Sequence, residues 1–126
     1  MAMRWFNKPK PKEIWEEPMA GPIGDIEAAH RIRDICRAAS SSAEKAGAPG
    51  GRNPPDEFRR YESAARVAME VAMKIGDDLL RDSAVRQIID LCLKAEDQRT
   101  ARILFRAVQT PSMRDEVLRD HPLLAQ

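Results

Sequence analysis

The sequence is poor in the residue types that usually mark a metal site or a disulfide framework. It contains two cysteines and two histidines in 126 residues. Cys36 and Cys92 stand far apart, without the paired spacing of a zinc site. We therefore predict that both are small buried residues with free thiols, in a protein of the reducing cytoplasm.

Long apolar runs and an excess of one charge are also lacking. No segment approaches the roughly 18 apolar residues that a membrane span needs, and the N-terminus lacks the apolar core of a secretory signal. The formal net charge is +1, from 21 basic and 20 acidic residues, so the chain as a whole does not attract nucleic acid or anionic membranes. These absences favour a cytoplasmic protein without a membrane span, and they argue against a nucleic-acid partner.

Motifs for catalysis and for cofactor binding are not found. The Gly50-Gly51 pair lacks the Gly-Lys-Ser/Thr ending of a phosphate-binding loop. Glu27 and His30 share a helix face, which is half of the pattern of a di-iron carboxylate site, but His121 has no Glu three residues before it to supply the other half. The sequence therefore predicts no enzyme, no cofactor and no metal site.

Apolar residues recur with the period of an α-helix over most of the chain. Intervals of three and four residues define amphipathic segments, several of which begin at a carboxylate suited to capping. The segments fall at about 25–40, 54–75, 79–95, 97–110 and 112–121. We therefore predict an all-α fold, either a small helical bundle or stacked helical hairpins, of about five helices with an irregular N-terminal arm.

Three residue-level expectations follow from this pattern. The second segment is apolar around much of its circumference, so we expect it to be the central helix, ending at Gly76 in a position that tolerates a left-handed backbone. Asp77 and Asp78 are expected to accept the free N–H groups at the start of the third helix. Pro111 is expected to end the fourth, because proline lacks the N–H that a helix interior requires.

Two segments have a composition that opposes helix formation. Residues 1–22 contain four prolines, which interrupt any helical register, and are predicted to form an extended arm. Residues 40–55 are rich in Ser, Gly and Pro and are predicted to be a flexible linker. Residues 23–126 then form a single helical domain that contains this linker.

The N-terminal arm contains both tryptophans, Trp5 and Trp15, together with Phe6. A merely solvated tail has no use for large aromatic residues. The arm could fold back into an apolar groove of its own helices, dock on another protein or subunit, or contact a membrane interface. These three residues are therefore candidates for partner binding.

A second candidate for partner binding is a row of arginines on the fourth predicted helix. Arg99, Arg102 and Arg106 share one face, opposite Leu104 and Val108. A row of guanidinium groups can bind an acidic partner or phosphates. It can also be only the solvated side of an amphipathic helix.

The chain also contains a weak repeat with a period of 33 residues. The residues that overlay are Ala68 with Ala101, Ile75 with Val108 and Val85 with Leu118. The stretch at about 81–111 resembles the tetratricopeptide-type helical-hairpin repeats. The resemblance rests on large apolar residues in a first helix, a small and then an aromatic residue in a second, and a proline near the end of the unit: Val85, Ile88, Cys92, Ala101, Phe105 and Pro111. It implies a binding scaffold with a concave groove for a peptide or a protein.

These observations favour a cytoplasmic protein–protein interaction module, or a small accessory or adaptor subunit. It would bind a partner through an apolar groove, through its aromatic N-terminal arm, or through both. The alternative is a small regulatory nucleic-acid-binding protein that uses the face of Arg99, Arg102 and Arg106.

Overall fold

The computed structural model describes residues 13–18, 21–48 and 55–125. These residues form five α-helices and two short 3-10 turns and contain no β-strand, which confirms the predicted all-α fold. The helices are α1 (Asp25–Ala46), α2 (Pro55–Ala72), α3 (Asp78–Lys94), α4 (Gln98–Phe105) and α5 (Pro111–Asp120). The N-terminal turn spans Ile14–Glu16, and the C-terminal turn spans Pro122–Ala125.

Helix α1 is longer than its composition indicates. The Ser- and Gly-rich stretch predicted an end near residue 40, whereas the helix continues to Ala46. Ser42, Ala43 and Ala46 are buried, so small residues extend its packed face. At Gly47, which follows, an added Cβ would lie 2.5 Å from the backbone oxygen of Lys94. Glycine therefore allows the end of α1 to approach the end of α3.

Helices α1, α2 and α3 build an apolar core that is rich in alanine. Small side chains on facing helices let the backbones approach closely, and isoleucines fill the space between them. The alanines buried to 1% exposure or less on these helices are Ala28, Ala39, Ala43, Ala64, Ala68, Ala72 and Ala84. The isoleucines with 0% exposure are Ile32, Ile35, Ile88 and Ile89.

The central helix is α3, which contacts each of the other four helices. The prediction that α2 occupies the centre is wrong, because α2 packs mainly on α1 and α3, whereas α3 also contacts α4 and α5. Gly76 likewise does not adopt a positive φ. Among the described residues, positive φ angles are found instead at Gly21 (72°) and at Glu96 (58°), which follows the end of α3.

A buried carboxylate on α3 holds the start of α5. Asp82 is 0% exposed and accepts hydrogen bonds from the backbone N–H groups of Gln109 (3.2 Å) and Thr110 (2.6 Å), and from the Thr110 hydroxyl. Burial by itself raises the pKa of Asp82, but these hydrogen bonds and the charge of Arg81 outweigh burial and lower it below its ordinary value. Asp82 therefore anchors the connection that leads into α5.

Pro111 begins a helix rather than ending one. Helix α4 ends earlier, at Phe105, and Pro111 is the first residue of α5, where the missing N–H would have had no partner within the helix. Thr110 is the N-cap residue, but its side chain makes no capping bond inside α5. The prediction was wrong because proline fits the first position of a helix, so Pro111 can begin a helix as well as follow one.

Both ends of α4 are held by side chains. At its start, the carboxylate of Asp97 accepts a hydrogen bond from the Thr100 N–H (3.1 Å) and another from the hydroxyl of the buried Tyr61 (2.7 Å). At its end, Arg114 of α5 donates to the carbonyl oxygens of Phe105 (3.3 Å) and Val108 (2.9 Å). These contacts fix the direction in which the outer side of α4 points.

Candidate protein-binding surface

The outer side of α4 carries all three arginines of the predicted row. At 100° per residue, Arg99, Arg102, Ile103 and Arg106 fall within roughly a third of the helix circumference. Arg106 is the C-cap residue and retains helical dihedral angles. We call these four residues the α4 outer face.

The opposite side of α4 is buried, as the sequence predicted. Ala101, Leu104 and Phe105 are 8% exposed or less, and Val108, just beyond the helix, is 1% exposed. The guanidinium carbon of Arg114 also lies 4.4 Å from the centre of the Phe105 ring. This anchoring leaves the α4 outer face as the side of the helix that is turned to solvent.

Ile103 is the apolar member of the α4 outer face and is 53% exposed. It lies on the same side of the helix as the three arginines, with Arg99 and Arg106 at helical contact spacing from it. The alternation of guanidinium groups with an exposed aliphatic side chain differs from a purely solvated helix face. Arginine and apolar side chains are common at the centres of protein interfaces.

The arginines of the α4 outer face form no ion pair with any described residue, unlike several other arginines. Arg60 lies 2.9 Å from Glu13 between Nε and the carboxylate, Arg81 lies 2.7 Å from Asp78, and Arg86 contacts two acidic residues of α5. The row therefore retains unused capacity to bind carboxylates.

The aromatic residues of the N-terminal arm divide into two groups. Trp5 and Phe6 lie outside the described residues, so their predicted role stays a prediction. Trp15 is 3% exposed and packs against α1 and α2, with the Arg60 guanidinium carbon 5.8 Å from its ring centre. Because its indole is covered by its own helices, Trp15 is a core residue here rather than an exposed contact for a partner.

A pocket of about 400 Å³ lies between the N-terminal segment and α1. Glu27, His30 and Asp34 line it together with Arg31. Among the residues that the structure describes, no group of three or more His, Cys, Asp or Glu side chains is arranged to hold a metal ion. The Glu27–His30 pair is thus placed on a surface pocket, without further ligands from the described part of the chain.

The two cysteines are free, with Cys92 buried and Cys36 half-buried. Burial raises the pKa of Cys36 to about 12 and that of Cys92 to about 11. Both thiols are therefore protonated near neutral pH, which makes them poor nucleophiles. The prediction of buried, free thiols is confirmed for Cys92 and holds partly for Cys36.

One exposed apolar corner was not identified from the sequence. The carboxylate of Asp25 accepts hydrogen bonds from the N–H groups of Gly76 (3.0 Å) and Asp77 (2.9 Å), which brings the starts of α1 and α3 close to the end of α2. The exposed apolar residues near this junction are Ile26 (67%), Met73 (56%) and Leu79 (59%). They lie in different helices or connections, so no periodic pattern could have grouped them.

Within the described ranges, no helix is both long enough and apolar enough to cross a membrane. Comparison of the chain with protein-family models, with curated proteins and with solved structures gives no match in any of the three. The resemblance to tetratricopeptide-type repeats therefore stays a prediction. The candidate surface is defined by the geometry of this chain alone.

Proposed function

We propose that the protein is a protein–protein interaction module, or a small accessory subunit, that binds its partner through the α4 outer face. The observation that carries the proposal is the placement of three arginines without ion-pair partners in the described chain around the exposed Ile103. We place the protein and its partner in the cytoplasm, as the composition predicts.

The way in which α4 is held supports this function. Asp97 and Tyr61 anchor its start, Arg114 anchors its end, and the buried side packs on the domain. A binding surface on a helix fixed in this way loses little conformational entropy when a partner binds. The side chains themselves, which are long, would still have to be ordered in the complex.

The α4 outer face is less suited to a nucleic-acid partner than to a protein partner. Arginines can contact phosphates, but binding to nucleic acid usually rests on a broad basic surface, and this chain has a net charge of +1. Ile103, in the middle of the row, has no hydrogen-bonding group to offer a phosphate. The alternative is therefore retained as an outcome of the experiments below.

The test is affinity purification from cells that express the protein naturally. The bait is the full chain, either unchanged, or with Arg99→Glu and Arg106→Glu, or with the control pair Arg33→Glu and Arg37→Glu. All four arginines are exposed, and each pair changes the net charge equally, but the control pair lies on α1. We expect a protein that is recovered with the unchanged chain and the control, and at least about tenfold less with the α4 variant.

Two outcomes would contradict the proposed function. One is equal recovery of every associated protein with the α4 variant and with the control pair. The other is recovery of nucleic acid, rather than protein, as the component that depends on Arg99 and Arg106. Circular dichroism of each bait establishes that the variants are folded before the comparison is made.

A further inference from the structure

We infer that the partner presents an acidic amphipathic helix, with one aliphatic side chain set between carboxylates, to the α4 outer face. This inference rests on the proposed function and adds the chemistry and conformation of the segment that binds. It follows from the charge, the spacing and the exposed isoleucine of the surface.

The charge requirement comes from the unpaired guanidinium groups. Arg99, Arg102 and Arg106 carry three positive charges without a carboxylate partner in the described chain. Carboxylates accept paired hydrogen bonds from guanidinium groups. A segment with three acidic residues would neutralise the row.

The spacing favours a helix over an extended segment. Arg99 and Arg106 are seven residues apart, which is about 10 Å along the helix axis. A partner helix with acidic residues at positions i, i+3 and i+7 repeats the same intervals and presents all three on one side. Packing helix against helix also suits a convex surface that consists of one short helix.

The position of the aliphatic residue in the partner segment follows from the position of Ile103. This side chain is 53% exposed and stands between arginines, so an apolar residue at position i+4 of the partner would cover it while the carboxylates reach outward to the guanidinium groups. The stems of the arginines would add apolar contact on either side. The partner pattern therefore mirrors the pattern of α4 with the charges reversed.

The experiment uses the full chain and a defined synthetic probe. The probe is a helical peptide of about 16 residues, otherwise alanine and glutamine, with Glu at i, i+3 and i+7 and Leu at i+4. Binding is measured by calorimetry at about 50 mM and about 300 mM salt. Comparison probes replace the three Glu by Gln, replace Leu by Gln, or are an oligothymidylate of similar length.

We expect the acidic peptide to bind with a Kd that rises about tenfold or more at the higher salt concentration, since exposed charge pairs are screened. The Gln peptide should bind at least about thirtyfold more weakly. Ile103→Ser should weaken binding of the acidic peptide about five- to tenfold, whereas the control Ile26→Ser, at a residue 67% exposed on another helix, should leave it unchanged.

Three results would overturn the inference. They are equal binding of the acidic and Gln peptides, an unchanged Kd for Arg99→Glu with Arg106→Glu, and tighter binding of the oligothymidylate than of the acidic peptide. If affinity purification gives a partner that depends on α4 while the peptides fail, the inference about chemistry is wrong and the proposed function stands. If no partner depends on α4, the proposed function fails independently of the peptide result.

Discussion

Between α1, α2 and α3 the buried side chains are mainly alanine, valine and isoleucine, whereas α4 and α5 combine buried apolar residues with polar side chains that bond to neighbouring elements. Asp82 holds the start of α5, Arg86 pairs with Glu116 at 2.7 Å and also contacts Asp120, and Arg114 binds carbonyl groups at the end of α4. Apolar contacts are non-directional and scale with the area they bury. Hydrogen bonds and ion pairs specify direction.

The difference shows how the candidate surface is positioned. The three-helix core supplies the stability of the domain, but it does not by itself determine how α4 is rotated about its axis. The buried side of α4 and the polar contacts at its two ends determine that rotation. The orientation of Arg99, Arg102 and Arg106 is thus sensitive to Asp97 and Arg114, which are not themselves part of the α4 outer face.

The largest loss of stability is expected for a substitution in the apolar core formed by α1, α2 and α3. Ile88 is 0% exposed, and Ile88→Ala should lower the free energy of unfolding by about 4 kcal/mol, because it removes apolar contacts and leaves a cavity. Urea denaturation measures this loss, and hydrogen exchange should accelerate throughout α1, α2 and α3. A loss below about 1 kcal/mol would show that the core is not packed as described.

A somewhat smaller loss of stability is expected where Asp82 binds the connection into α5. Asp82→Ala leaves two N–H groups and the Thr110 hydroxyl without their acceptor, and should cost about 3 kcal/mol. Exchange should accelerate mainly in α5. The control is Asp78→Ala on the same helix, where the side chain is 72% exposed and the expected loss is below about 0.5 kcal/mol. Equal losses for the two variants would contradict the proposed role of Asp82.

The carboxylate of Asp82 should make the free energy of unfolding depend on pH. Its pKa is lowered in the folded protein, and the unfolded-state pKa is about 3.9. The stabilisation from its charge is therefore fully present above about pH 4 and is lost as the pH falls through the folded-state pKa. We expect the stability difference between the unchanged chain and Asp82→Asn to shrink in this acidic range. A constant difference down to about pH 2 would show that folding does not lower the pKa of Asp82.

A smaller effect of the opposite sign, a gain in stability, is expected in the connection between α3 and α4. Glu96 has a φ of 58°, a conformation that favours glycine. Glu96→Gly should raise the free energy of unfolding by about 0.5–1 kcal/mol, because it relieves this strain by more than it adds chain entropy. Thermal and urea denaturation would both detect the increase. A decrease in stability would indicate that Glu96 makes a contact that outweighs the strain.

The smallest effect on stability is expected at the α4 outer face. Arg99 and Arg106 are exposed and form no ion pair with a described residue, so replacing both by Glu should change the free energy of unfolding by no more than about 0.5 kcal/mol. Partner binding should nevertheless decrease strongly. If stability fell by several kcal/mol instead, the arginines would belong to the fold, and the functional comparison with the control pair would lose its basis.

Periodicity predicted the buried sides of α3 and α4 correctly. Of the two carboxylates expected to accept N–H groups at the start of α3, Asp77 does so, from Leu80 at 2.9 Å. Periodicity also placed the three arginines on one side of α4. It failed at the end of α1 and at Pro111. In the first case the deciding neighbour is distant in sequence, namely the backbone near Lys94 opposite Gly47. In the second, proline can begin a helix as well as follow one.

The sequence by itself determined the helical class and the faces of the helices, because the 3.6-residue repeat relates residues within one or two turns of each other. Tertiary structure alone decided that Trp15 is covered, that Asp82 binds the connection into α5, and that the arginines of α4 find no carboxylate partner in the described chain. These outcomes depend on which side chains from separate helices come within hydrogen-bond distance. Local spacing carries no information about such distances.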